Sequence, residues 1–184
     1  DVTDMAGSID ESNFLWEIDT NDSGFAGIGY SSDAPTIAKL AVKNLTDNKV
    51  GVIFTNGYNA GETEGRIYIA DASDGSLIKV LETGRDSSHD PSGDSRPNAM
   101  ANPAVIDTNG DGIADKVYAG DLFGNMWSFD ISSSNPDNWG VATENNTPLF
   151  TATSPTIEGI NEHVAQPLTT RPAVATHPLG LSKG

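Results

Sequence analysis

The chain contains no cysteine, so disulfides neither staple its fold nor report its compartment. It has no apolar run approaching the roughly 18 residues that a spanning helix needs, which argues against membrane insertion. Basic residues are scarce: 10 Lys and Arg stand against 26 Asp and Glu, a formal net charge of −16. Such a surface repels phosphate backbones and anionic lipid, and so excludes nucleic acid as a natural partner. The histidines at 89, 163 and 177 are scattered, without the His-x-His or His-Glu-x-x-His spacing of a zinc site. No phosphate-cradling glycine loop is present. Ser76-Leu77-Ile78-Lys79 matches Ser-x-x-Lys but falls in a strand-like run without its companion motifs. Nothing gathers into a catalytic or organic-cofactor site, and the expectation is a protein that is not an enzyme. Amphipathic helices of useful length are also missing. The chain opens Asp1-Val2-Thr3, with neither initiator Met nor signal peptide, which suggests a mature product or a piece of something longer.

What is present is concentrated in Asp107-Thr108-Asn109-Gly110-Asp111-Gly112-Ile113-Ala114-Asp115. Oxygen-bearing side chains fall at alternate positions around a glycine turn, the spacing with which a short loop wraps one hard cation. Calcium takes six to eight oxygen ligands at roughly 2.3–2.6 Å, and a 1, 3, 5, 7, 9 pattern supplies them. The expected metal ligands are the side chains of Asp107, Asn109, Asp111 and Asp115 and the main-chain carbonyl of Ile113, with Ca2+ as the cofactor. Gly112 sits where the loop must turn sharply. An EF-hand would place a bidentate Glu at the twelfth position and enter a helix; here that position is Tyr118, within the strand-like Lys116-Val117-Tyr118-Ala119. The loop therefore reads as a nine-residue calcium loop before or within a β-hairpin. A plain Asp-rich turn accounts for Asp111-Gly112 but not for the regular oxygen spacing. Millimolar external calcium would keep such a loop filled, which favours a periplasmic or extracellular location.

Two separate motifs repeat with near-constant spacing. Ala34-Pro35-Thr36-Ile37-Ala38, Asn102-Pro103-Ala104-Val105-Ile106 and Arg171-Pro172-Ala173-Val174-Ala175 share a pattern, their prolines 68 and 69 residues apart. Leu15-Trp16-Glu17-Ile18-Asp19, Ile67-Tyr68-Ile69-Ala70-Asp71 and Met126-Trp127-Ser128-Phe129-Asp130 form the second series, the last two preceded by Gly65 and Gly124. Between the markers, residues 50–54, 66–70, 77–81, 116–119 and 125–131 are rich in β-branched and aromatic side chains and read as strands. Asp71 to Gly75 reads as a hairpin turn, and residues 86–98 and 132–147 as surface loops. Trp16, Trp127 and Phe129 are expected to pack between adjacent blades, Asp71, Asp121 and Asp130 to form turns, and Gly65 and Gly124 to serve tight turns. A Pro-led strand, an apolar strand and a Gly-led aromatic strand ending in Asp make up a β-propeller blade. The fold class is all-β, a partial β-propeller with a period of about 68 residues. Residues 1–184 form part of one propeller domain, with repeat markers near 35, 103 and 172. A ring of four blades at this period needs roughly 270 residues. The chain is therefore a fragment of a larger ring, completed by further blades of a parent chain or by other copies.

Read whole, Pro103 to Asp130 resembles the calcium-loop blade of the PilY/PilC-type pilus-biogenesis proteins. The resemblance rests on the Asp107–Asp115 loop, then Tyr118-Ala119-Gly120-Asp121-Leu122, then Gly124-Asn125-Met126-Trp127-Ser128-Phe129-Asp130. Upstream, Phe54-Thr55-Asn56-Gly57-Tyr58-Asn59 is similar to the family's Phe-Gly-Asn-Gly-Tyr-Asn turn, with Thr55 in place of a glycine. Ile69 to Gly75 resembles its Asp-x-x-x-Gly hairpin. The match covers roughly residues 37–130. The resemblance implies a quinoprotein-like propeller and export to the periplasm, outer membrane, cell surface or type IV pilus tip. It implies partners among pilus components such as minor pilins, and a host or abiotic surface. Calcium occupancy of the Asp107–Asp115 loop would then regulate pilus extension against retraction, with support of adhesion and twitching motility. Two alternatives stand beside it: a generic integrin-like or VCBS-type calcium-binding interaction module, and a fragment of a secreted quinoprotein dehydrogenase.

Overall fold

A computed structural model describes residues 14–30, 34–45, 47–61, 63–153 and 165–175. His163 and His177 lie outside the described residues. Among the described residues, two antiparallel sheets hold the strands, and three single-turn 3-10 helices lie in the connections. In the first, β1 (Thr36–Asn44), β2 (Asp47–Thr55), β3 (Arg66–Asp71) and β4 (Leu77–Glu82) lie side by side in sequence order. The second runs β5 (Ala104–Ile106), β6 (Lys116–Gly120), β7 (Asn125–Asp130) and β8 (Gly140–Val141), with β9 (Phe150–Thr151) also on β7. Each sheet is an up-and-down meander, the topology of a propeller blade.

Alternation decides what the blades bury. In β2 and β3, Ile53, Ile67 and Ile69 point to one face; in β6 and β7, Val117, Ala119, Trp127 and Phe129 do the same. These faces meet, and with Leu40, Leu81, Met100, Ala114, Ile131 and Trp139 they form one core between the sheets. Trp127 and Phe129 are fully buried there, as their marker positions foretold. On the far side of the first sheet, Tyr68 and Phe54 stack with rings 5.5 Å apart, and Phe25 closes on both. Among the described residues, Ile18, Phe25 and Ile28 pack on that aromatic patch, and no further sheet lies on it.

Four expectations are corrected. Leu15–Asp19 carries the aromatic-strand pattern but forms no strand; Trp16 instead lies half-buried on the outside of the first sheet, its Nε1 donating to the Ala72 carbonyl at 3.0 Å. Residues 171–175, the third Pro-led marker, also form no strand. The segment 132–147, read as loop, contributes β8. Where the first blade has a single outer strand, the second has two short ones: Val141 pairs with Phe129, and Phe150 with Met126. Finally, Gly124 has φ +84°, as a tight turn needs, but Gly65 does not sit in the left-handed region. A Cβ at Gly65 would come within 2.7 Å of Met100 Sδ, so its glycine makes room for a neighbour rather than for a turn.

Candidate functional site

The acidic loop is the connection of the β5–β6 hairpin. Both ends are fixed. Asp115 N–H donates to the Ile106 carbonyl at 2.9 Å, and the Asp115 carbonyl accepts from Ile131 N–H at 2.8 Å. Next to it, Ala114 N–H donates to the Lys39 carbonyl at 2.9 Å, across to the first sheet, with the Ala114 side chain in the shared core. The loop thus touches both blades.

Inside the loop the alternating side chains turn back on the main chain. Asp107 accepts from the N–H groups of Asn109 at 3.1 Å, Gly110 at 2.7 Å and Gly112 at 2.7 Å. Asn109 Oδ1 accepts from Asp111 N–H at 2.9 Å, and Asp111 Oδ1 from Ile113 N–H at 2.8 Å. Gly110 and Gly112 have φ +81° and +82°, where a residue with a Cβ would be strained; only the second was legible from the calcium spacing. The amides of Gly112 and then Gly110 hold the Asp107 carboxyl below the usual carboxylate range. Asp115 differs from the others: it is buried, and its Oδ2 accepts from both Thr108 N–H at 2.8 Å and Thr108 Oγ1 at 2.6 Å. Thr108, at an even position of the loop, has no place in the ligand spacing. The donors are oxygen only, which suits a hard divalent ion in chemistry. In this structure they serve the loop itself, and among the described residues no three acidic or imidazole groups gather closely enough to hold a metal.

A buried polar chain lies at one end of both blades, and the sequence reading found only part of it. Asn56 and Asp121 each follow the second strand of their blade. Asn56, fully buried, accepts from Arg66 and Met100 N–H and donates to the Glu64 and Asn98 carbonyls. Asp121, also fully buried, accepts from Asn125 N–H and Nδ2, from Asn98 Nδ2 and from Trp127 Nε1 at 2.8 Å. Asp121 is more than a turn former: it is the shared acceptor that orients the core tryptophan. Asn98 links the two hubs and was hidden in a stretch read as loop.

The comparisons with known proteins agree with this architecture. Residues 1–181 match the family described as the PilY1 beta-propeller domain. A type IV pilus biogenesis factor PilY1 homolog of Xylella fastidiosa is 36% identical over 163 residues, covering 84% of this chain and 10% of that protein. The type IV pilus biogenesis factor PilY1 of Pseudomonas aeruginosa is 32% identical over 188 aligned positions, covering 97% of this chain and 15% of that protein. The crystal structure of the Pseudomonas aeruginosa PilY1 C-terminal domain superposes with a TM-score of 0.70 at 28% identity, covering 90% of this chain and 33% of that one. The chain thus spans only a small part of the curated relatives it matches.

Proposed function

The chain belongs to the PilY1 β-propeller family, and from that premise we propose that it is a calcium-responsive propeller segment of a type IV pilus assembly factor. The observation that carries the reading is the loop Asp107–Asp115: alternate oxygen donors, seated in a blade hairpin and hydrogen-bonded to the neighbouring blade through Lys39. Asp107, Asn109, Asp111 and Asp115 would hold the ion by their side chains and Ile113 by its carbonyl. Bound calcium would supply positive charge to balance the three carboxylates that the loop carries. The chain's own residues supply the readout. Asp115 and Ala114 are built into the core and the ladder of the second blade, so a change in the loop bears on how the two sheets meet. Through that link, calcium occupancy biases pilus extension against retraction, and with it adhesion and twitching. The protein acts at the cell surface or pilus tip, through contacts with pilus components such as minor pilins and with a host or abiotic surface, and without catalysis.

Asp111→Ala is the cleanest test, because Asp111 is exposed and among the described residues its side chain accepts from one amide of its own loop, whereas Asp115→Ala would also remove a buried carboxylate that holds the Thr108 amide and hydroxyl. Isothermal titration is expected to give calcium binding well above magnesium, since the smaller ion demands a rigid octahedron. The Asp111→Ala chain should lose that binding while keeping its β-sheet circular dichroism. Equal calcium heats in the two chains would refute the site. For the pilus role, cells carrying Asp111→Ala in the parent protein should twitch to the same extent with and without calcium; an unchanged calcium response would refute the regulation.

A further inference from the structure

The tripeptide Thr-Asn-Gly occurs twice, at Thr55-Asn56-Gly57 and Thr108-Asn109-Gly110. An asparagine followed by glycine is open to attack on its own side-chain carbonyl carbon by the next main-chain nitrogen, because glycine has no Cβ to obstruct ring closure. The local sequences are identical, so a difference in reactivity between them must come from the fold.

The two environments are opposite. Asn56 is fully buried and uses its amide in four hydrogen bonds, to Glu64, Arg66, Asn98 and Met100. Swinging its side chain over the Gly57 nitrogen would break all of them inside the core. Asn109 is exposed, and among the described residues its side chain makes one hydrogen bond, from Asp111 N–H. Gly110 is exposed too, and beyond its two chain neighbours nothing lies within 4 Å of where a Cβ would stand. Its N–H bond to Asp107 must open for reaction, but in solvent that bond is exchanged for one to water at little net cost.

We propose that Asn109 is a modification site at which the chain deamidates itself. The Gly110 main-chain nitrogen attacks Cγ of Asn109 and gives up its proton. The Cγ–Nδ2 bond breaks, Nδ2 leaves as ammonia with that proton, and a five-membered succinimide remains. Water then opens the imide at either carbonyl, leaving an aspartyl or an isoaspartyl residue at that position. The isoaspartyl product adds a methylene to the main chain between Asp107 and Asp111, and either product adds another carboxylate to the loop. The proposal rests on the exposure and single hydrogen bond of Asn109 and on the open surroundings of Gly110, concerns the calcium-free loop, and does not depend on the calcium reading.

The test is peptide mapping by mass spectrometry after incubating the native chain in warm, mildly alkaline buffer, beside the same chain in denaturant. In the native chain Asn109 should convert roughly tenfold or more faster than Asn56, because a fully buried group reacts only through opening of the structure. In denaturant the two rates should converge. Ammonia release from the native Asn109→Gln chain should fall severalfold, since glutamine would have to close a six-membered ring. Equal native rates at the two sites, Asn109 left intact while the denatured chain reacts, or undiminished ammonia from Asn109→Gln would each overturn it.

Discussion

At the scale of single residues the chain solves one problem twice. Asp71 closes β3 and accepts from Ser73 N–H and Oγ, with the Lys49 ammonium at 2.5 Å; Asp130 closes β7 and accepts from Ser132 N–H and Oγ, with Lys116 at 2.7 Å. In both, burial works against the charged carboxyl, and the lysine followed by the serine outweighs it, so that each is lowered to about 2. A folded value below the unfolded one of about 3.9 means that the stabilisation is complete above that pH and is lost as pH falls from about 4 through about 2. Lys49→Met should therefore lower stability near neutral pH by about 1–2 kcal/mol and flatten the acid limb of a urea-unfolding profile over that window. Lys116→Met should do less, because the Asp130 side chain is 43% exposed against 8% for Asp71. Equal losses would show that exposure does not set these pairs apart. The aspartates were legible as turn formers because the serine lies two residues on. The lysines were not, since strand register alone brings them across the ladder.

At the scale of elements, legibility followed the length of the pattern. The runs at 50–54, 66–70, 77–81, 116–119 and 125–131 became β2, β3, β4, β6 and β7 within a few residues, because each combines β-branched or aromatic content with turn residues at its ends. Two-residue strands such as β8 and β9 have no period to read. Leu15–Asp19 shows the converse: a strand pattern whose aromatic residue is satisfied by packing and by a carbonyl of the first sheet. The segment 86–98 is also firmer than its polarity suggests. Asp90 accepts from Arg96 Nε and Nη2 at 3.0 and 2.8 Å, and from the Arg96 and Ser92 amides, and the Arg96 guanidinium first of all holds its carboxyl far below the usual range. Alternation within a strand pair gives the sharper test. Ile53 and Ile37 stand on neighbouring strands, the first fully buried between the sheets and the second 68% exposed on the opposite face. Ile53→Asp is expected to unfold the chain at room temperature, since an unpaired buried carboxylate costs several kcal/mol. Ile37→Asp should stay within about 0.5 kcal/mol of the parent in urea titration. A large loss at Ile37 would mean that the face it occupies is closed in solution.

At the scale of the whole molecule, composition foretold the architecture better than it foretold the contacts. The 68-residue repeat gave blades and an incomplete ring, and a match to 33% of a solved domain agrees with both. It could not show that the acidic loop of one blade would be fastened to the first strand of the other, because that bond joins residues far apart in the chain. The same composition sets a global electrostatic term. A net charge of −16 on 184 residues repels itself, while the half-buried Lys49–Asp71 and Lys116–Asp130 pairs are screened less than exposed charges are. Raising sodium chloride from about 0.01 to about 0.15 M shortens the Debye length from roughly 30 to 8 Å, which quenches the long-range repulsion and leaves the short pairs largely intact. The urea midpoint should therefore rise with salt, and a fall would mean that the pairs dominate. Calcium acts through the same screening, so its specific share is whatever remains over magnesium at matched ionic strength. If the loop is the site, Asp111→Ala should erase that remainder and leave the sodium chloride response untouched.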